Sequence, residues 1–237
     1  MNNLQAVVRA FYGDTRAQIK SASTPEAQAQ VVKGIHDRFD SLFAGGLISS
    51  RATIACRAGC SLCCHFKVDV WPQEVFAIVD FIKSNFTPEQ IENVRQRATA
   101  NSKKIAPMSA RQHLATNLMC PLLQDGMCSV YPVRPLNCRK FHSKTLATCQ
   151  NSFDHPNELL GGPQDDEVPE LTSTLGNHYM AVKLAYQEEG YDARPYDLSR
   201  SLAFALDNPN CANRWMKKKP AFPDAVVAKD YAASVGL

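Results

Sequence analysis

A chain of 237 residues with 45% hydrophobic side chains can bury a substantial core, as one compact domain or two small ones. Its 26 Lys and Arg stand against 23 Asp and Glu, and the formal net charge of +3 points to neither nucleic acid nor membrane. No stretch reaches the ~18 apolar residues that cross a bilayer. Arg9, Asp14, Arg16 and Lys20 interrupt the first twenty residues, so no signal peptide is expected either.

The opening reads as a helical hairpin. Leu4, Val7, Val8, Phe11 and Tyr12 recur at helical spacing, and Ser21–Pro25 breaks the pattern. Val31, Val32, Ile35, Phe39, Leu42 and Phe43 form a second stripe, which Gly45 and Gly46 are expected to close. Phe66, Val68 and Val70 alternate with polar residues as a short strand would through Phe66–Trp71. Pro72 suits the first turn of a helix carrying Val75, Ile78, Val79 and Ile82. Thr87, Pro88 and Gln90 spell a capping box for a further helix to about Ile105.

Asp125–Gly126 signals a hairpin. A three-residue loop Gln124–Gly126, with Gly126 left-handed, would pair Leu123 with Met127 and put Cys120 and Cys128 on one face. A two-residue loop would put them on opposite faces, so the longer loop is the one expected. Pro156, Gly161, Gly162, Pro163 and the acidic Asp165–Glu167 read as a linker or surface loop. Leu175, Tyr179, Val182 and Tyr186 share one helical face that ends at Gly190, and shorter helices are expected around Leu198–Leu206 and Asn210–Lys217. The fold class is therefore mainly α: a helical single domain over 1–237 with a short β-hairpin and cysteine-rich metal-binding loops. Its parts are an N-terminal helical hairpin (1–46), a cysteine-cluster core (47–150) and a C-terminal helical part (151–237).

Chemistry concentrates in the cysteines. Seven of nine fall in two bursts, Cys56, Cys60, Cys63 and Cys64, then Cys120, Cys128 and Cys138. Grouped thiols without an export signal argue for metal rather than disulfides in a cytoplasmic protein, and the odd number argues the same way. One unbroken helix would spread Cys56 and Cys64 ~12 Å along its axis. A tetrahedral zinc instead holds its sulfurs about 4 Å apart. The chain must therefore turn, and Gly59 is placed to do it, or the first burst is shared between two sites. Tyr131, Pro132, Arg134 and Pro135 form an extended, proline-stiffened stretch that can return Cys138 to the site.

Seven thiols exceed the four of a mononuclear site, leaving open a polynuclear site, two neighbouring ions, or one ion and a reactive thiol. Cys149 is a candidate eighth ligand, whereas Cys211 reads as a packed small hydrophobe. His65 and His142 adjoin the bursts and are candidate ligands; His36, His113, His155 and His178 carry no motif. Among Arg57, Lys67, Arg134, Arg139 and Lys140, Arg134 and Arg139 are the candidates to support thiolates from the next shell out. Glu74 reads as a first-turn acid favoured by the helix dipole; with Asp69, a base or a hard ligand is the other option.

The order C-x3-C-x2-C-C, then Val68, Val70, Pro72 and Glu74 as V-x-V-x-P-x-E, then C-P-L-L…G-M-C-S-V-Y-P-V-R-P-x-x-C-R resembles the YkgJ-like cysteine-cluster family. The likeness covers about Cys56 to Phe141. It implies a domain chelating zinc or iron. A related cluster in flagellin lysine-N-methylases makes an iron–sulfur cluster and a protein-modifying enzyme the alternative by analogy. Cys56, Cys60 and Cys63 also match the spacing of radical S-adenosylmethionine enzymes. Against that, Leu62 stands where those enzymes usually place an aromatic residue, and no repeated βα pattern is visible. A third reading is an interaction module stapled by zinc. Lys217–Lys219 is too short a basic run for nucleic acid, and the cysteines lack the knuckle-and-helix arrangement of DNA-reading fingers. The expected partner is a metal ion, with no nucleic acid and no membrane.

Overall fold

In the computed structural model, residues 3–57, 59–160, 162 and 166–229 are described, and helices dominate them. Helices α1 (Asn3–Ser21) and α2 (Pro25–Ser50) form the expected N-terminal pair. Thr24 starts the second, its Oγ1 accepting the Ala27 N–H at 3.2 Å. Pro25 sits in the first turn, where its missing N–H removes no helical bond. The two glycines do not close α2, contrary to expectation: it continues to Ser50 and stops at Arg51, whose φ is 53°. Interior glycines cost a helix only about 1 kcal/mol each. Gly46 is demanded by close packing, since a Cβ there would stand 2.6 Å from Cδ1 of Leu171.

Strand β1 (Asp69–Val70) is shorter than the alternation suggested, because Trp71 already caps helix α3 (Pro72–Asn85). Helix α4 (Pro88–Ile105) begins on the expected capping box: Thr87 Oγ1 accepts the Gln90 N–H (3.2 Å) and Gln90 Oε1 accepts the Thr87 N–H (2.8 Å). The short α5 (Ala110–Leu114) was not anticipated, although Ser109 and Gln112 close a second box of the same kind.

The hairpin of β2 (Leu123–Gln124) and β3 (Met127–Cys128) exists, but its register differs from the expected one. Leu123 pairs with Cys128 and Gln124 with Met127, across a two-residue loop. Asp125 and Gly126 take φ of 49° and 74°, the two positive values whose twist matches flanking strands. The three-residue alternative loses that match.

Helices α6 (Leu136–Lys140), α7 (Leu146–Asp154) and α8 (Pro156–Leu159) follow. Of the expected linker, Gly161, Pro163 and Asp165 lie outside the described residues. Helix α9 (Pro169–Glu188) buries Leu175, Val182 and Tyr186 as expected, and Gly190 follows at φ 77°. Strand β4 (Tyr196–Asp197) pairs antiparallel with β1, a long-range pairing that local periodicity did not reveal. Helices α10 (Leu198–Asp207) and α11 (Cys211–Met216) follow, with a 3-10 turn over Asp224–Val226 after them. Helix α1 packs along α9, α2 against α9 and α3, and α10 against α3 and α4. Val75, Ile78 and Ile82 of α3 are fully buried, each contributing roughly 1.5–3 kcal/mol of transfer free energy. Trp71, Trp215, Tyr186 and Phe222 fill the space around them. No helix among the described residues is long and apolar enough to cross a membrane.

Candidate metal centre

The first burst is not one helix. Gly59, at φ 84°, turns the chain between Cys56 and Cys60, and Cys63 and Cys64 sit on a 3-10 turn over Leu62–His65. This is the break that sulfur spacing demanded. The second burst is sewn directly onto that turn: the Cys120 N–H donates to the Cys64 carbonyl (2.7 Å) and the Leu118 N–H to the His65 carbonyl (2.9 Å). Two stretches more than fifty residues apart in sequence thus share backbone hydrogen bonds at their cysteines.

The hairpin register did not separate Cys120 from Cys128. The Leu123 N–H closes a turn on the Cys120 carbonyl (3.0 Å), so Cys120 lies before the ladder and strand alternation does not reach it. Cys128 remains near enough to raise the thiol pKa of Cys120 electrostatically. Cys138 returns on α6 after a 3-10 turn over Tyr131–Val133, where an extended stretch was expected. Cys120, Cys63 and Cys128 are the thiols whose charge acts on it.

Cys149, on α7, also joins the group. The Ala55 N–H donates to the Ser143 carbonyl (2.9 Å), and the rings of His65 and Phe153 meet edge to face at 5.2 Å. These contacts seat α7 on the 62–65 turn. Cys149 is buried there, with Cys56, Cys63 and Cys60 as its electrostatic neighbours. Cys211 instead lies in the aromatic core, as a small hydrophobe would.

All nine cysteines are free thiols. Burial pushes Cys120 up to about 12 and raises Cys56, Cys128, Cys138 and Cys149. Cys63 is raised chiefly by its hydrogen bond with the Cys64 side chain and then by burial. Each of these thiols also feels the charge of others, so the neutral form is favoured, and several thiolates would coexist here only beside compensating positive charge. Among the described residues, no three His, Cys, Asp or Glu side chains already stand grouped at ligating spacing.

The polar neighbours sort themselves clearly. His142 is fully buried with both ring nitrogens committed: Nδ1 donates to the Lys140 carbonyl (2.8 Å) and Nε2 accepts the Val168 N–H (2.9 Å). That geometry removes it as a candidate ligand. His65 Nδ1 meets the Ser61 carbonyl at 3.1 Å. Arg139 is a structural clamp. It gives Nη1 to Asp40 (2.6 Å), Nε to the Arg134 carbonyl (3.0 Å) and Nη2 to the Pro132 carbonyl. Lys67 pairs with Asp69, Lys140 lies 4.7 Å over the Tyr179 ring, and Arg57 is exposed.

Arg134 is different. Its guanidinium lies 3.8 Å over the Tyr131 ring, its Nε is buried with no hydrogen-bond partner, and its charge favours the thiolates of Cys56, Cys63 and Cys128. The same guanidinium reaches Asp40 through Nη2 at 3.8 Å, and thiolate sulfur is a donor that zinc and iron accept. The donor types suit such a metal, while among the described residues their side chains are not grouped at ligating spacing.

Glu74 is buried in the first turn of α3. Its Oε2 accepts the Trp71 N–H (2.8 Å) and its Oε1 the Leu136 N–H (2.6 Å), two residues from Cys138. Burial pushes its carboxyl up to about 7, against those two N–H groups and the charge of Arg139. Asp40 and Asn137 escaped the sequence reading. Asp40 meets both arginines, and Asn137 reaches the Asp69 carbonyl and, at 3.2 Å, the Tyr179 hydroxyl. No local pattern marks either.

The helical frame brings segments from two distant cysteine bursts together at one turn, with the cysteines as free thiols. Residues 55–158 match the family model CxxCxxCC, described as "Putative zinc- or iron-chelating domain". Over those residues, the chain is similar to the family that its motif spacing resembles. No curated protein and no solved structure matches the chain.

Proposed function

We propose that this protein is a metal-ion-binding protein of the cytoplasm that chelates zinc, or else iron, through thiolates. Its donors are drawn from Cys56, Cys60, Cys63, Cys64, Cys120, Cys128 and Cys138 on a single-domain scaffold. The observation that carries the reading is the backbone bond from Cys120 to Cys64 (2.7 Å), which fastens the second burst to the first. Arg134 supports it with a buried donor that has no other acceptor. Zinc leads because its filled d shell tolerates closed thiolate sites of irregular geometry; iron follows because thiolates suit it equally. The role assigned is chelation, with no reaction attached.

Anaerobic purification followed by elemental analysis and a thiol count tests this. Bound zinc or iron is expected, lost when Cys120 and Cys138 are together replaced by Ser. Visible charge-transfer bands would mark iron, and a colourless loaded sample zinc. A metal-free protein with all its thiols reduced, and no uptake of added zinc or ferrous iron, would overturn the reading.

A further inference from the structure

We propose that the groove between α1 and α9 is a docking site for an amphipathic helix of a partner protein, one whose apolar stripe is edged by carboxylates. The inference goes beyond the chelating reading and involves no metal.

Helix α1 packs along α9, yet the pair leaves apolar side chains uncovered. Leu4, Val8 and Tyr12 of α1 and Met180, Ala181 and Leu184 of α9 line a groove of about 600 Å³. Met180 is 53% exposed and Leu184 45%. A contiguous apolar strip left in water marks a surface that something covers.

The shape suits a helix better than a small molecule. A small-ligand pocket encloses most of its guest, whereas this groove lies open, with two of its apolar walls half in water. At 1.5 Å per residue, the lining stretches 4–12 and 177–187 run about 12–15 Å, between two and three helical turns. Apolar anchors at i, i+3, i+4 and i+7 on an entering helix span most of that length.

Charge sets the partner's chemistry. Arg9 from α1 and Lys183 from α9 line the groove, and no carboxylate does. Helical cations elsewhere take an acid on their own helix, as Lys33 takes Asp37 and Arg95 takes Glu92, both at 2.7 Å. No Asp or Glu stands three or four positions from Arg9 or Lys183, and neither forms an ion pair among the described residues. The acids that follow Gln187 at the end of the groove, Glu188 and Glu189, are already held by Arg16 at 2.8 and 2.7 Å. Each helix therefore offers one unanswered cation beside the apolar strip, which complements a stripe edged by Asp or Glu. A second copy of this chain fits less well, because an isologous contact would set the same cations against one another.

The test offers the full-length chain two synthetic helical peptides of about 15 residues with the same leucine stripe, one edged by Glu and the other by Lys. By fluorescence anisotropy, the Glu-edged peptide should bind about 10-fold tighter, and the difference should shrink as salt rises. This comparison needs no variant. Leu184→Lys should weaken the Glu-edged peptide by about 10-fold or more. Arg9→Glu combined with Lys183→Glu should turn the preference towards the Lys-edged peptide. None of these three side chains is buried, so circular dichroism and bound metal should match the unaltered protein. Equal binding of the two peptides, binding of neither, or a Glu-edged peptide indifferent to Leu184→Lys would overturn the proposal. So would a dimer of the free chain that Leu184→Lys dissolves, which would give the groove to a second copy. Binding to phosphatidylglycerol vesicles that the same variant abolishes would overturn it in favour of a lipid surface.

Discussion

The helical frame and the cysteine region are held by different forces. Helices α3, α9 and α10 stand on buried apolar faces, with Glu74 closing the first turn of α3 and Asp197 capping α10. The segments 55–66 and 118–140 contain nothing longer than the five-residue α6. Many of their backbone groups bond one another in short turns, and side chains from the frame add further ties. Asn101 Nδ2 donates to the Met119 carbonyl (2.9 Å), Arg97 Nη1 to the Leu123 carbonyl (2.7 Å), and Glu74 accepts from Leu136. Buried backbone groups that short turns leave unpaired need partners from outside the segment, and these side chains supply them. One region folds by burial; the other is held in place by its own turns and by bolts on the frame side, and under the proposed function also by metal on the sulfur side.

Two perturbations of very different kind should separate the regions. Trp71→Ala strikes the frame: the indole is fully buried and stacks on Tyr179 at 4.1 Å. Its removal should cost about 3–5 kcal/mol and lower the urea midpoint of both regions together. Chelation of the bound metal strikes only the other region. Amide exchange should accelerate across 55–66 and 118–150 while the buried turns of α3, α9 and α10 keep their protection. If those helices lost protection in step with the cysteine segments, the two regions would be one cooperative unit and the comparison would fail.

Glu74 joins the regions, and its loss should be felt next most strongly. Glu74→Ala strands the buried N–H groups of Trp71 and Leu136, at about 1–3 kcal/mol each. Because its folded pKa is raised to about 7 from an ordinary 4.5, the folded state binds the extra proton between those values. This contribution to stability is therefore complete below about pH 4.5 and is lost as pH rises through 7. In metal-free protein the urea midpoint should fall from pH 5 to pH 8, and the fall should flatten in Glu74→Gln. An unchanged slope in the variant would remove Glu74 as its source.

Arg139 and Asp40 form the second bolt, with Arg139 almost wholly buried and Asp40 half-exposed. Removing Arg139 should cost less than removing Glu74 in the bolt to Asp40 itself, since solvent screens that partner, but its carbonyl contacts to Pro132 and Arg134 go as well. Arg139→Ala is expected to loosen the 131–140 segment by about 1–3 kcal/mol. Proteolysis confined to that segment would be the readout.

The sequence disclosed what is written locally. The helical stripes, the Thr87–Gln90 cap and the turn at Gly59 each need only neighbours along the chain. The cysteine bursts were legible for the same reason, as a composition that water-exposed thiols would not explain. What stayed hidden is non-local. The β1–β4 pairing joins Asp69 to Asp197, and Asp40 meets an arginine 99 positions away. The end of α2 was misplaced because Gly46 answers to Leu171 rather than to its own helix. The demotion of His142 depended on the Val168 N–H, which no spacing announces.

The smallest effect concerns the hairpin tip, and it asks whether register or mere closure positions Cys128. Gly126 takes φ 74°, a left-handed conformation that an added Cβ disfavours, although nothing stands within 4 Å of where that Cβ would go. Gly126→Ala should therefore cost about 1 kcal/mol from backbone strain alone. The two-residue ladder around it is short, and the Ser129 N–H still reaches the Leu122 carbonyl (2.9 Å) beyond it. That second bond lies on the cysteine side of the tip and should keep Cys128 in place. The variant is expected to melt slightly earlier and to bind the same number of metal ions. A loss of bound metal at so small a cost in stability would mean that Cys128 is set by the Asp125–Gly126 turn itself, and that the cysteine region is less firmly held by the frame than its hydrogen bonds imply.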